Sequence, residues 1–357
     1  MDIFDSVLNF VMPPLSLVML AFAWPTLTFI NTCEWLYSTY FCEDMEHKVV
    51  IITGASSGIG EQIAYEYAKR KATLVLVARR ETRLHGISEN CRLLGSRNVL
   101  IIAADVVKED DCRRFVNETI NIYGRVDHLV NTASLGHTFY FEEAADTSVF
   151  PILMDINFWG NVYPTYVALP YLRQTQGRIV VNASVENWLP LPKMSLYSAA
   201  KSALTNFYET LRFELRDEVG ITVATHGWIG TELTRGKLML EEGADMQWKE
   251  EREVHVTGGK IEEFAKMIVA GACRGEAHVK YPSWYDIFFM YRVFAPNVLY
   301  WTFRFLLSNE GRRTSLIGTG RALLESPSPP RDGSGRLIAG SPVTFSQSPP
   351  RQQLKFE

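Results

Sequence analysis

An α/β fold built on a parallel sheet follows from two observations on this 357-residue chain. Apolar runs of strand length alternate with amphipathic segments of helical length, and the first run leads into a glycine-rich turn. Strands are expected at 49–53, 73–77, 99–103, 127–131, 178–184 and 221–225, with helices between them. Strands joined by helices run parallel and are covered on both faces, so both faces must be apolar. In such a sheet, ligands gather at the carboxyl ends of the strands.

The first strand is Val49-Val-Ile-Ile52, four β-branched residues ending at Thr53. Gly54, Ser56, Ser57, Gly58, Ile59 and Gly60 then turn the chain into a helix over Glu61–Lys69. Glycines between a strand and a helix let backbone N–H groups and the positive helix end approach a phosphate. A tight turn alone would also use glycine. The strand before and the helix after favour a dinucleotide pyrophosphate, and with it a Rossmann-type, doubly wound sheet.

Further along, Tyr197-Ser-Ala-Ala-Lys201 opens a segment whose apolar positions Leu204, Phe207, Leu211 and Leu215 keep helical spacing. Tyr197 and Lys201, four apart, share a helix face. Ser184 closes the apolar run Ile179-Val-Val-Asn-Ala-Ser184 ahead of them. On an arbitrary helix a Tyr–Lys pair is surface decoration. The glycine turn, the serine and their order along the chain point to catalysis instead.

These residues resemble the short-chain dehydrogenase/reductase family over roughly residues 46–280. The apolar, proline-containing head and many segments are also similar to the plant steroleosins, hydroxysteroid dehydrogenase-like proteins of seed oil bodies. The resemblance implies an oxidoreductase with Tyr197 as acid/base. Lys201 would be its electrostatic partner and a ribose ligand, and Ser184 would hold the substrate oxygen. Asn157, in Asp155-Ile-Asn157-Phe-Trp-Gly160, matches the asparagine that holds a helix kink and a proton-relay water. A free phenol titrates near 10, too high for a base at neutral pH. A neighbouring ammonium and an oxidised nicotinamide would favour the phenolate.

NADP(H) is the expected cofactor. After Leu74–Val77 come Arg79 and Arg80, where NAD-selective enzymes place an acid; arginine accommodates a ribose 2′-phosphate. Two solvated surface arginines are the plain alternative. The resemblance adds Asp105 and Val106 flanking the adenine. It adds Asn131, Thr132 and Ala133 of Asn131-Thr-Ala-Ser134, where relatives carry Asn-Asn-Ala-Gly. It also adds Gly227, Ile229 and Thr231 beside the nicotinamide, with His226-Gly227 replacing the usual Pro-Gly. Relatives keep a substrate lid where this chain runs from Leu233 to Gly259.

A net charge of −4 argues against a nucleic-acid binder, and five scattered cysteines show neither a disulfide framework nor metal-ligand spacing. No metal is expected. Residues 1–43 are expected to form a membrane or oil-body anchor, 44–283 the NADP-binding domain, 284–324 an aromatic extension and 325–357 a disordered Ser/Pro-rich tail. Ser6 to Cys33 carries no charge; as a straight helix it would span about 42 Å, against a hydrocarbon core of about 30 Å. A signal peptide would carry a basic leader, whereas no Lys or Arg precedes Lys48. Pro13, Pro14 and Pro25 favour a kinked insertion suited to a lipid-droplet monolayer, with bilayer spanning and a hairpin both open. Residues 34–46 would be an interfacial connector with Trp35, Tyr37, Tyr40 and Phe41 as an aromatic belt.

The charge bias puts the catalytic domain on the cytosolic side of a lipid droplet or endoplasmic reticulum membrane. The aromatic stretch Trp284–Leu307, split by Pro296, suits helices lying on a membrane or forming a homodimer; a buried hairpin is equally compatible. The substrate implied is a lipophilic alcohol or ketone of sterol type. A dehydrogenase of other lipophilic alcohols, or a structural oil-body coat protein with a vestigial site, are the alternatives.

Overall fold

The computed structural model describes residues 3–40, 42–56, 58–136, 141–143, 147–227, 237–238, 247–248, 260–302 and 304–305. The chain divides into two compact units, Met1–Met290 and Tyr291–Glu357.

In the first unit the expected alternation forms a seven-stranded sheet. Its strands are β1 (Val49–Thr53), β2 (Thr73–Ala78), β3 (Val99–Ala103), β4 (His128–Asn131), β5 (Arg178–Ser184), β6 (Gly220–His226) and β9 (His278–Tyr281). A separate antiparallel pair joins β7 (Lys237–Leu238) to β8 (Gln247–Trp248). The large sheet has the order β3-β2-β1-β4-β5-β6-β9, and every pairing in it is parallel. The sequence reading had six strands. The edge strand β9 is short, and His278 and Lys280 point out of it, so no apolar run announces it.

Alternation along each buried strand divides the core. Val50 and Ile52 pack with Leu74 and Leu76 against α2 (Gly58–Lys69), α3 (Glu81–Leu94) and α8 (Ile261–Cys273). Val49 and Ile51 face the other way, with Val75, Val77, Ile179 and Val181. They meet α4 (Glu109–Tyr123), α6 (Gly160–Thr175) and α7 (Ser195–Leu215). Successive residues of a strand point to opposite faces, so a doubly covered strand is apolar throughout. A short helix α5 (Val149–Met154) runs through a π-helical turn, Asp155–Trp159, into α6.

At the amino end, α1 is one 38-residue helix, Ile3–Tyr40. It continues through Pro13, Pro14 and Pro25 without reversing. Each proline removes one i→i−4 hydrogen bond, and the remaining bonds carry the helix on. Helix extends to Tyr40, into the stretch expected as an interfacial connector. The segment Phe10–Ile30 is long and apolar enough to cross a membrane, and its described side chains are exposed.

At the other end, α9 (Asp286–Phe294) stops before Pro296, and helix resumes over 296–302. The expected split at this proline holds. Trp284, Ile287 and Met290 of the first unit are exposed, as are Phe294, Tyr300 and Trp301 of the second, while Tyr285 and Leu299 are buried. Ser57, Ile229, Thr231, most of the lid segment and the tail from residue 306 lie outside the described residues.

Candidate active site

The order of the sheet reverses between β1 and β4, and their carboxyl ends open a crevice between them. The two ends are stitched together. Thr132 Oγ1 donates to the Thr53 carbonyl at 2.6 Å, and Thr53 Oγ1 donates to the Val130 carbonyl at 3.4 Å. Gly54, at φ +68°, lies so close to the β4 loop that a Cβ there would stand 2.8 Å from the Ala133 nitrogen. Gly58 is the opposite case. It has φ +57° with nothing within 4 Å of a Cβ, leaving open space in front of the first turn of α2. Ile59 and Gly60 begin that helix and are buried. Free N–H groups at a helix start facing open space suit a pyrophosphate.

The expected 2′-phosphate arginines differ from one another. Arg80 reaches back to the glycine turn, with Nη2 3.2 Å from Ser56 Oγ and 3.3 Å from the Ser56 carbonyl. Arg79 is exposed. Beyond β3, the Asp105 N–H donates to Asp111 Oδ2 at 2.8 Å and Val106 is buried. Asn131 is wholly buried, its Nδ2 lying 2.9 Å from Thr165 Oγ1 and 3.1 Å from the Asn161 carbonyl. It therefore braces the loop carrying Thr132 and Ala133.

Ser184 ends β5, and Tyr197 and Lys201 sit in the first two turns of α7; all three are buried. Lys201 Nζ lies 5.6 Å from the Tyr197 ring centroid and donates to the Asn182 carbonyl at 2.9 Å. The hydroxyls of Ser134 and Ser184 lie close enough to the phenol to favour its ionised form. Ser134 Oγ also donates to Asn157 Oδ1 at 2.8 Å. Asn157 accepts from the Leu135 N–H at 3.0 Å and donates to the carbonyls of Leu135 (2.7 Å) and Leu153 (2.9 Å). It thereby ties the π-helical turn to the β4 loop. Such turns inside α-helices occur often at functional sites.

Comparison with known proteins accords with this geometry. The model of the short chain dehydrogenase family matches residues 48–239, more than half of the chain. This chain belongs to the short-chain dehydrogenase family. As a member it is an oxidoreductase acting on CH–OH groups. It is similar to the 11-beta-hydroxysteroid dehydrogenase B of Sesamum indicum, 77% identical with all of both chains covered. It is 71% identical to the 11-beta-hydroxysteroid dehydrogenase-like 5 of Arabidopsis thaliana, covering 90% of this chain and 83% of that one. A short-chain dehydrogenase/reductase from Burkholderia phymatum solved with NAD shares the fold. Its TM-score is 0.64 at 22% identity, over 71% of this chain and 96% of that one.

Burial dominates the electrostatics of the dehydrogenase's candidate site. The Tyr197 phenol is pushed well up, first by burial and then by the nearby Glu186 carboxyl, while the Ser134 and Ser184 hydroxyls act in the opposite direction. Lys201 is pushed down from 10.5 to about 7 by burial, against the pull of Glu186. Desolvation penalises the charged form of each group, the phenolate and the ammonium alike. His226 is pushed down to about 4 by burial. It packs edge-on to Phe264 with ring centroids 5.7 Å apart, and Nδ1 lies 2.8 Å from the Gly227 carbonyl. It is neutral at physiological pH. Gly227 itself is buried against the Tyr285 ring, and its N–H donates to the Tyr281 carbonyl at 2.9 Å.

Two side chains at the dehydrogenase's site were not singled out from the sequence. Ser134 was seen only as a departure from glycine, yet it lies near the phenol and donates to Asn157 Oδ1. Glu186, two residues past Ser184, is buried at 7% exposure and hydrogen-bonded to Ser184 Oγ. Its signal was present as a lone acid in the apolar stretch Val185-Glu-Asn-Trp-Leu-Pro-Leu-Pro.

Proposed function

We propose that this dehydrogenase interconverts a steroid or sterol-like alcohol and its ketone with NADP(H), held to a membrane or lipid-droplet surface by α1. The observation that carries the reading is the buried set of Ser184, at the carboxyl end of β5, with Tyr197 and Lys201 of α7. Tyr197 gives a proton to the substrate oxygen or takes one from it, and Ser184 hydrogen-bonds that same oxygen. Lys201 holds the nicotinamide ribose and biases the phenol. Asn157 fixes Ser134, through which the phenol's proton is relayed. When bound, NADP(H) supplies or accepts the hydride.

The residues that hold it are Thr53, Gly54, Ser56, Gly58, Ile59 and Gly60 at the pyrophosphate, with Arg79 and Arg80 at the 2′-phosphate. Asp105 and Val106 flank the adenine, and Asn131, Thr132 and Ala133 border the crevice. Support for the phosphate preference is the Arg80 guanidinium held over Ser56. Support for a steroid is the hydroxysteroid dehydrogenase naming of the plant relatives. Support for anchoring is the exposed apolar segment Phe10–Ile30, and the absence of Lys and Arg before Lys48 favours a cytosolic catalytic domain.

The test is cofactor turnover by the detergent-solubilised full chain with hydroxysteroids, retinoid alcohols and fatty alcohols, each with NADP(H) and NAD(H). Steroid turnover preferring NADP(H) is expected. No turnover of any alcohol or ketone overturns the enzymatic reading, and preference for a fatty alcohol overturns the steroid.

A further inference from the structure

Ser184 ends β5, and the next three residues, Val185–Asn187, form a single 3-10 turn. That turn folds the Glu186 side chain back over the serine instead of releasing it to water. Glu186 is 7% exposed, and its Oε2 is hydrogen-bonded to Ser184 Oγ. A buried carboxyl is costly as an anion unless a cation pairs with it. The ammonium in the site, Lys201 Nζ, is instead directed to the Asn182 carbonyl at 2.9 Å. The other titratable groups around the Ser184–Glu186 pair are Tyr197, from α7, and His226. The latter lies opposite Ser184 on β6, with its carbonyl 3.4 Å from Ser184 Oγ.

We propose that Glu186 is a positioning residue that sets the hydrogen-bond polarity of Ser184 toward the reacting oxygen. The proposal deepens the function given above and rests on Ser184 being the residue that meets the substrate oxygen. A serine hydroxyl has one proton and two lone pairs, a neutral carboxyl can donate, and a carboxylate can only accept. With Glu186 neutral, its proton goes to Ser184 Oγ, and the serine proton is free for the substrate oxygen as charge develops on it. With Glu186 ionised, it takes the serine proton, and Ser184 is left only lone pairs to offer. Both reaction directions pass through the same transition state, so ionisation slows both. Burial raises Glu186 above the ordinary carboxylate range, which extends the neutral form toward working pH.

Two measurements test this. In the infrared spectrum of the cofactor-free protein, the wild type should show the carbonyl stretch of a buried carboxylic acid. That band should vanish on alkaline titration, be missing in Glu186→Gln and move in Ser184→Ala. In kinetics, wild-type kcat/KM should fall about 10²-fold or more across the same titration, the scale of a lost oxyanion donor. Glu186→Gln, whose amide always has a proton to donate, should lose that limb, and Glu186→Asp should keep it. A missing band, a band indifferent to Ser184→Ala, or a Glu186→Gln profile superimposable on wild type overturns the proposal. Absence of all turnover beside a band that moves in Ser184→Ala overturns the proposed function and sustains the coupling of Glu186 to Ser184.

Discussion

Glu43 Oε2 lies 3.1 Å from His128 Nε2, although Glu43 follows α1 and His128 begins β4. The histidine is wholly buried, and its other nitrogen is 2.8 Å from the Tyr67 hydroxyl of α2. Lys48 closes the cluster, 3.2 Å from Glu43 and 3.5 Å from the buried Asp127. The segment leaving the amino-terminal helix is therefore clamped to the sheet at the end opposite the candidate active site.

This clamp has an acid dependence. Burial raises the Glu43 carboxyl, but His128 and Lys48 outweigh it and hold the group down from 4.5 to about 2. A carboxyl depressed on folding contributes stability that is fully present above its unfolded value and lost as pH falls through its folded one. The wild-type thermal midpoint should therefore exceed that of Glu43→Gln by a few degrees above pH 4.5, and the two should converge toward pH 2. Parallel curves over that window would show that the contact contributes nothing.

Tyr197→Phe removes one hydroxyl from a buried ring and leaves its packing. Turnover should fall roughly 10²- to 10⁴-fold, the contribution of a general acid–base group, with cofactor affinity nearly unchanged. Steady-state rates and a cofactor titration decide it. Activity within threefold of wild type would remove Tyr197 from the chemistry.

Arg80, held at the glycine turn, and the exposed Arg79 are not equivalent. Removing Arg80 alone should cost NADP(H) about 1.5–3 kcal/mol of charge-assisted contact, at least tenfold, while NAD(H) changes little. Arg79→Ala should have the smaller effect. Calorimetric titration of both variants with both cofactors separates them. Equal losses for the two cofactors would reduce Arg80 to surface charge.

Deletion of residues 1–40 keeps the Glu43–His128 contact and removes the segment able to cross a membrane. The remaining chain should fold and leave the membrane fraction on flotation. Persistence with membranes would transfer the anchoring to the exposed aromatics of α9, among them Phe289 and Phe294.

The sequence by itself determined the parallel α/β fold, the glycine turn and the Ser184–Tyr197–Lys201 set. These depend on local periods and spacings: strand length, one helical turn between Tyr197 and Lys201, and glycine between a strand and a helix. Only the tertiary structure decided what surrounds them. Ser134 lies near the phenol because β4 and α7 converge at the crevice, and Glu186 is hydrogen-bonded to Ser184 because a 3-10 turn folds it inward. The edge strand β9 was illegible for a related reason. Its short segment earns strand geometry from pairing with β6, not from its own pattern. The fate of the phenol was also undecidable from spacing, because a shift depends on how much water the fold removes as well as on which charge lies one turn away.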